Sequence, residues 1–381
     1  MSRAAALQVY EFFAGGGMAR KGLEQASGAR FACAFANDFD PVKARTYRAN
    51  FEAERLREGD VWALGPGDLP GRADLAWASS PCQDLSLAGG RAGLKGGRSS
   101  AFWGFWRLMQ ALDVEGRAPR AIVIENVTGL LTSAGGADFI ALCEALAGLG
   151  YRFGAVEADA ELWLPQSRPR LFVVATREPP SGSLAAPREP FHSRAVREAF
   201  ERLPETLKVG WVWWALATPL RRNRDLASIL EPDATAAWFD EAKTDHLLSL
   251  MGPGHRLRLE TALASGERRV GALYRRVRVE QGQRVQRAEV RFDGLAGCLR
   301  TPAGGSSRQI VVVAEAGRVR ARQLSAREAA RLMGLPDDYR LPQASTAALK
   351  VCGDGVAVPV VRAIAEGVLA PLLAAQAVEA A

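Results

Sequence analysis

Short apolar blocks, separated by glycine-rich or acidic turns, run through the first half of the chain. Residues 7–12, 31–36, 75–78, 121–124 and 171–175 each have the length and the β-branched or aromatic content of a buried strand. Residues 19–25, 42–51, 102–112 and 139–149 instead show helical spacing. Strands that alternate with helices predict an α/β fold, a mostly parallel sheet covered on both faces. Such a sheet binds ligands beyond the carboxyl ends of its strands. The glycine cluster at 13–17, Asp38, Asp60, Cys82 and Glu125 all follow directly on strand-like blocks.

The pattern breaks after 176. Pro179-Pro180-Ser-Gly-Ser and Ala186-Pro-Arg-Glu-Pro190 read as a linker. From about 190 to 320 the chain is irregular, with short β-like runs near 270–292, and predicts a second, smaller domain. Trp211, Trp213 and Trp214 lie in this stretch and are expected in its core, not stacked on bases. Regular spacing returns at 323–333, where Ser325 and Glu328 form a capping box ahead of an apolar helix face. The expected division is 1–180, then 181–344, then a segment 345–381 that folds back onto the first domain.

Charge sharpens the picture of the second domain. The 381 residues carry a formal net charge of +7, and residues 256–300 alone carry +6. Eleven arginines in that segment suit contact with a polyanion such as nucleic acid. The five cysteines form no CxxC pair and there are three histidines, which argues against a zinc site or a disulfide framework and fits a reducing compartment. No run approaches the ~20 apolar residues that span a bilayer, and the N-terminus does not read as a secretory signal.

Five strand ends carry candidate chemistry. Phe13-Ala14-Gly15-Gly16-Gly17 joins a strand to a helix, and its glycines allow a tight turn and close approach to a ligand. Asp38 ends the next strand, where a carboxylate can accept the two hydroxyls of a ribose. Phe39 is placed to stack on a base, and Asp60-Val61 to meet a base edge; a helix N-cap is the plainer role for either acid. No P-loop lysine is present, so a cofactor without phosphates fits better than a dinucleotide. Cys82 follows Ser80-Pro81, Glu125 ends an apolar run, and Gln166-Ser-Arg168-Pro-Arg170 opens another. A thiol, a carboxyl group and two guanidiniums suggest covalent attack on an electron-poor ring. For Cys33, Cys143, Cys298 and Cys352, burial as a small hydrophobe is expected.

These motifs, in this order, resemble the DNA (cytosine-5) methyltransferase family. Pro81-Cys82-Gln83, Glu125-Asn-Val127, the Gln-x-Arg-x-Arg run, Arg322-Gln-Leu-Ser-x-Arg-Glu-x-x-Arg-Leu-x-Gly334 and Gly353-Asp-Gly-Val-Ala-Val-Pro359 carry the likeness. It spans residues 11 to 359, with about 180–300 as the variable stretch.

The resemblance implies a Rossmann-like class I methyltransferase domain and a smaller target-recognition domain. S-adenosylmethionine would be held by Phe13, Ala14, Gly15, Gly17, Asp38, Phe39, Asp60, Val61, Pro81, Asp354 and Val356, with no metal. Cys82 would add to carbon 6 of a flipped cytosine. Glu125 would serve ring nitrogen 3 and the amine, and Arg168 and Arg170 the ring oxygen. Gln83, Ser86 and Arg98 would touch DNA from a closing glycine-rich loop.

The implied partner is double-stranded DNA, bound by a monomer in the cytoplasm of a bacterium or in a phage host. A cognate restriction endonuclease or a solitary regulatory role both remain open. A branch that methylates tRNA, and a non-catalytic DNA-binding partner, are the alternatives. Two positions depart from the family pattern. Asp354 stands where asparagine is usual and lacks the amide's donors, and Glu11 stands where aspartate is common.

Overall fold

Apolar blocks of six to eight residues need cover on both faces, and β5 (Ala121–Asn126) shows why: all six of its residues are buried. The computed structural model describes residues 5–80, 101–219, 222, 224–301 and 308–374. In chain order the first half forms β1 (Leu7–Phe12), α1 (Met18–Glu24), β2 (Phe31–Asp38), α2 (Pro41–Asn50), β3 (Leu56–Glu58), β4 (Leu75–Ser79), α3 (Ala101–Val114), β5, α4 (Ala137–Gly148), β6 (Arg152–Asp159) and β7 (Pro169–Thr176). The strands make one sheet in the order β3-β2-β1-β4-β5-β7-β6. β7 runs antiparallel to both neighbours, and the other pairings are parallel.

All nine blocks read from the sequence form the expected elements, with ends shifted by at most two residues. β3 and β6 are additions. β3 has only three residues, too few for a periodicity. β6 is interrupted by Gly154, a weak strand former. Its glycine has a reason: a Cβ there would lie 1.8 Å from the Val212 carbonyl oxygen. The chain at 210–212 hydrogen-bonds along β6 through Phe153, at 3.0 and 2.8 Å.

Backbone contacts divide the chain into two units. One comprises Met1–Asp159, Pro169–Thr218 and Val358–Ala381, the other Ala160–Arg168 and Pro219–Ala357. Residues 181–218 therefore group with the first sheet, not with the second domain as the linker signal suggested. An aromatic cluster explains it: Trp211 packs edge-on against Phe139 and Phe153, and Trp214 is fully buried with its Nε1 donating to Val174 O at 3.1 Å. The three tryptophans are core. The C-terminal segment also splits at 357/358. α11 (Val358–Ile364) packs on α1 so closely that a Cβ on Gly22 would meet Val361 Cβ at 2.6 Å.

Between β7 and the second sheet the chain forms β8 (Ser183–Leu184), α5 (Arg194–Glu201), α6 (Glu205–Lys208), β9 (Trp213–Trp214), α7 (Glu241–Ser249) and α8 (Pro253–Ala264), and α10 (Ser345–Asp354) follows that sheet. The second unit centres on β10 (Arg269–Glu280), β11 (Gln283–Arg291), β12 (Ile310–Glu315) and β13 (Arg318–Gln323), an antiparallel sheet in the order β11-β10-β12-β13. Its core includes Leu247, Met251, Leu259, Leu273, Val290, Ile310 and Val312. The predicted capping box is present at α9 (Ala326–Leu332): Glu328 N–H donates to Ser325 Oγ at 3.1 Å, and Ser325 N–H to Glu328 Oε2 at 2.9 Å. Glu328 is wholly buried and also bound by Arg322. Burial alone would raise its pKa, but Arg322 and two backbone N–H donors, those of Ser325 and Glu231, hold it below the usual carboxylate value. The helical run Ser345–Leu373 is long and apolar enough to cross a membrane by length and composition, yet 67% of its most apolar window is buried, as in a core helix.

Candidate active site

Parallel pairing brings the carboxyl ends of β1, β2, β3, β4 and β5 to one edge of the first sheet, and the candidate residues follow these ends. At the end of β1 the chain turns through left-handed backbone at Phe13 (φ 56°), Gly15 (φ 58°) and Gly17 (φ 81°). Glycine adopts this freely; phenylalanine does so at a cost of ~1 kcal/mol or more. Such strain concentrates where a loop serves a ligand. Gly17 also has no room for a side chain, since a Cβ would meet Phe51 at 2.3 Å.

Asp38 secures this loop. One carboxylate oxygen accepts Gly15 N–H and the other Asp40 N–H, both at 2.8 Å. Asp38 is 4% exposed, and burial pushes its pKa up while these donors oppose the rise. Two lone pairs per oxygen leave acceptor capacity for a diol. Phe39, the next residue, is 67% exposed, an unusual fate for an aromatic and a suitable face for a base. Asp60 caps the short turn that follows β3, accepting Trp62 N–H at 3.0 Å. Val61 differs from expectation: it is buried, and a Cβ on Gly104 of α3 would meet its Cγ1 at 2.7 Å. Its side chain is therefore core, which leaves only its backbone for a ligand.

The chemistry expected at the next strand ends is partly in view. Ser79 of β4 pairs with Glu125 of β5. Asn126 Nδ2 donates to Ser80 Oγ at 3.0 Å, and its Oδ1 accepts Val127 N–H at 2.8 Å. This clamp fixes the chain two residues before Cys82. Pro81, Cys82, Gln83, Ser86 and Arg98 lie outside the described residues. Asn126 was not singled out from the sequence; its place beside a buried strand-end carboxyl group was the available signal. Glu125 is 8% exposed and its Oε1 lies 3.4 Å from Arg170 Nε. Antiparallel β7 delivers Arg170 to this position because β5 and β7 pair from Asn126–Leu171 onward.

Arg168 behaves differently from Arg170. It belongs to the second unit and is 2% exposed. Its guanidinium donates to the carbonyls of Leu299 (3.0 Å), Gly353 (2.8 Å) and Gly355 (2.6 Å), and to Cys298 Sγ (3.4 Å). These bonds tie the start of β7 to the segments at 298–299 and 353–355. Asp354 and Val356 also belong to the second unit. Asp354 accepts a hydrogen bond from the Thr301 hydroxyl, so its carboxylate uses an acceptor that asparagine would share. Among the described residues no three His, Cys, Asp or Glu side chains cluster as a metal site would require.

The set suits an adenosine-bearing cofactor: a left-handed glycine turn, a buried carboxylate with spare acceptors and an exposed aromatic. The sequence model described as C-5 cytosine-specific DNA methylase matches residues 7–370. The chain belongs to that family and is a DNA cytosine-5 methyltransferase. The Type II methyltransferase M.NlaX of Neisseria lactamica is 26% identical over 368 residues, 96% of this chain and 97% of that protein. M1.ScrFI of Lactococcus lactis subsp. cremoris is 25% identical over 370 residues, 96% of this chain and 79% of that one. Among solved structures, the S. pombe Dnmt2 methyltransferase superposes with a TM-score of 0.63 at 17% identity, covering 97% of this chain and 98% of that one, a likeness of fold.

Proposed function

We propose that this chain methylates carbon 5 of a cytosine extruded from duplex DNA, using Cys82 as nucleophile, Glu125 as proton donor and acceptor, and Arg170 as the cation at the ring oxygen. The observation that carries the reading is the Glu125–Arg170 pair, largely buried at the end of β5 and beside the strand that leads to Cys82. Extrusion is required because carbons 5 and 6 cannot be attacked inside the stack, and it costs a few kcal/mol.

S-adenosylmethionine would supply an electrophilic methyl group on a sulfonium; Asp38 would accept from its ribose, and Phe13 and Phe39 would border its base. The Cys82 thiolate adds to carbon 6, which makes carbon 5 nucleophilic. Glu125 protonates ring nitrogen 3 as charge builds there, and Arg170 both orients Glu125 and faces the oxygen. After transfer a water molecule takes the proton on carbon 5, Glu125 takes back the proton on ring nitrogen 3 and the thiolate departs, restoring the aromatic ring. Arg168 takes no part in this scheme beyond holding its neighbours.

One copy of the chain carries every group the scheme uses, which supports a monomer on DNA. Likeness to Type II methyltransferases supports methylation of one short sequence, which would protect it from an endonuclease of matching specificity. Bisulfite sequencing of a plasmid from a cytosine-methylation-free host, with and without the protein, tests the reading. Protected cytosines in one motif are expected; uniform conversion, with soluble protein present, would overturn it.

A further inference from the structure

β10 pairs with β12 only from Arg269 to Leu273, whereas its pairing with β11 continues to Glu280. Residues 274–280 and their β11 partners thus leave the sheet as a two-stranded ribbon, ~20 Å long at 3.3 Å per residue. The ribbon closes in a two-residue turn, Gln281-Gly282, with φ of 50° and 79°. Both positive values match the turn type that suits strand twist, so the arm is regular to its tip.

Its two faces differ in chemistry. On one, Arg276 and Arg278 both reach Glu289, at 3.3 and 2.5 Å, and Arg287 pairs with Glu280. Charge there is largely neutralised within the ribbon. The other face carries Arg275, Val277 and Val279, opposite Ala288, Gln286 and Arg284. No acid stands among them. Val277 is 51% exposed and Val279 73%, two of only six large hydrophobics so exposed among the described residues. Two β-branched residues on the solvent side of an arm, with no local partner, form an edge liability unless something covers them.

The side chains on that face are those that read base edges. A guanidinium suits guanine O6 and N7, a carboxamide suits adenine N6 and N7, and an isopropyl group suits the thymine methyl. The major groove, ~12 Å wide, admits a two-stranded ribbon. At the ribbon's base lies a groove of about 370 Å³ lined by Tyr274, Arg275, Arg276, Arg278 and Arg300 among others. Tyr274 is fixed there, its hydroxyl donating to Cys298 O at 3.2 Å and to Gln309. Arg275 and Arg300 bring guanidiniums to this open groove beyond the two that pair with Glu289, and they suit phosphate.

We propose that this ribbon is the sequence-reading element. Val277, Val279, Arg284 and Gln286 face base edges in the major groove of duplex DNA, while the arginine groove at its base grips the backbone. The inference rests on the reading of the chain as a duplex-DNA methyltransferase and adds where its specificity resides.

The test compares wild type with Val279→Thr, Gln286→Ala and Arg284→Ala, all on the exposed arm, where folding is least at risk. Each is assayed for kcat/KM on the wild-type target and on every single-base mismatch of it, with S-adenosylmethionine affinity as a fold control. Arg284→Ala and Gln286→Ala are expected to lower the ratio of target to mismatch about 10-fold or more at one base position each. Val279→Thr, nearly isosteric, is expected to shift the preference at one position by a smaller factor. Arg300→Ala should weaken all duplexes alike and reduce the salt slope of binding by about one. Unchanged mismatch ratios in all three arm variants, with methylation intact, would overturn the ribbon proposal alone. Wild-type protein that methylates no duplex would overturn the underlying reading and the ribbon with it.

Discussion

Both the edge of the first sheet and the ribbon of the second unit hold arginines against glutamates at strand ends. Their surroundings make the pairs unlike. Arg170 and Glu125 have side chains 16% and 10% exposed, in a strand buried along its whole length. Arg278, on the ribbon, is 50% exposed where it meets Glu289. A pair in partly dry surroundings has a strong, directed field; an exposed one contributes about 0–1 kcal/mol and is screened by salt. A rigid edge suits fixed chemistry on one base. A solvated arm tolerates exchange of its side chains, as a surface that must suit different sequences requires.

The sharpest way to break the contrast is at the chemistry itself. Cys82→Ala should lower turnover by ~10⁴-fold or more, the scale seen when a covalent nucleophile is removed. DNA binding should remain measurable by filter binding or fluorescence. Retained methylation would remove Cys82 from the scheme.

Next in size is the comparison between the two arginines of one motif. Arg170→Ala should reduce kcat by about 10²–10³-fold with little change in thermal midpoint, as expected for a group facing developing charge. Arg168→Ala should act the other way round. It strands three buried carbonyl acceptors, at ~1–3 kcal/mol for each left unsatisfied. Thermal denaturation should show a drop of several degrees, at about 2–4 °C per kcal/mol for a domain of this size. A variant at 168 that is stable yet inactive would restore that arginine to the chemistry.

This pair also shows where sequence reading reached its limit. The alternation of blocks and turns was enough to place Asp38 and Glu125 at strand ends, because side-chain period and strand length are local properties. Whether Arg168 or Arg170 meets Glu125 depends on the register of β7 against β5 and on partners 130 and 185 residues away, Cys298 and Gly353. Periodicity carries no such information. The boundary at 181 failed for a related reason: proline-rich punctuation is visible, but the docking of Trp211 on Phe153 is long-range. Val61 is a further case, since its burial against Gly104 is long-range. The ribbon's arginines were legible as a charge excess, while their division into a paired face and a reading face required the strand register.

The smallest expected effect concerns pH, and here the two regions should respond with opposite sign. Glu11 lies beneath the glycine turn, 1% exposed, its Oε1 accepting Arg20 N–H at 3.1 Å and its Oε2 3.4 Å from the Tyr47 hydroxyl. Burial, opposed by Arg20 and Tyr47 and assisted by Glu24, raises its pKa from 4.5 to about 8. Between these values the unfolded chain has released the proton and the folded chain keeps it, so stability falls as pH rises through the window. On the ribbon, hydrogen bonding from Arg278 and the charge of Arg276 outweigh burial and hold Glu289 below the ordinary value. Its contribution is present above pH 4.5 and is lost as pH falls through the lowered pKa. Glu11→Gln keeps an acceptor for Arg20 but cannot ionise. Its thermal midpoint relative to wild type should rise by at least about 3 °C between pH 5 and 8, close to 1 kcal/mol. Glu289→Gln should lie slightly below wild type across the same range and converge with it in acid. Parallel wild-type and Glu11→Gln profiles from pH 5 to 8 would mean that the carboxylate under the glycine turn is charged, and that the dryness of this edge does not set the contrast with the ribbon.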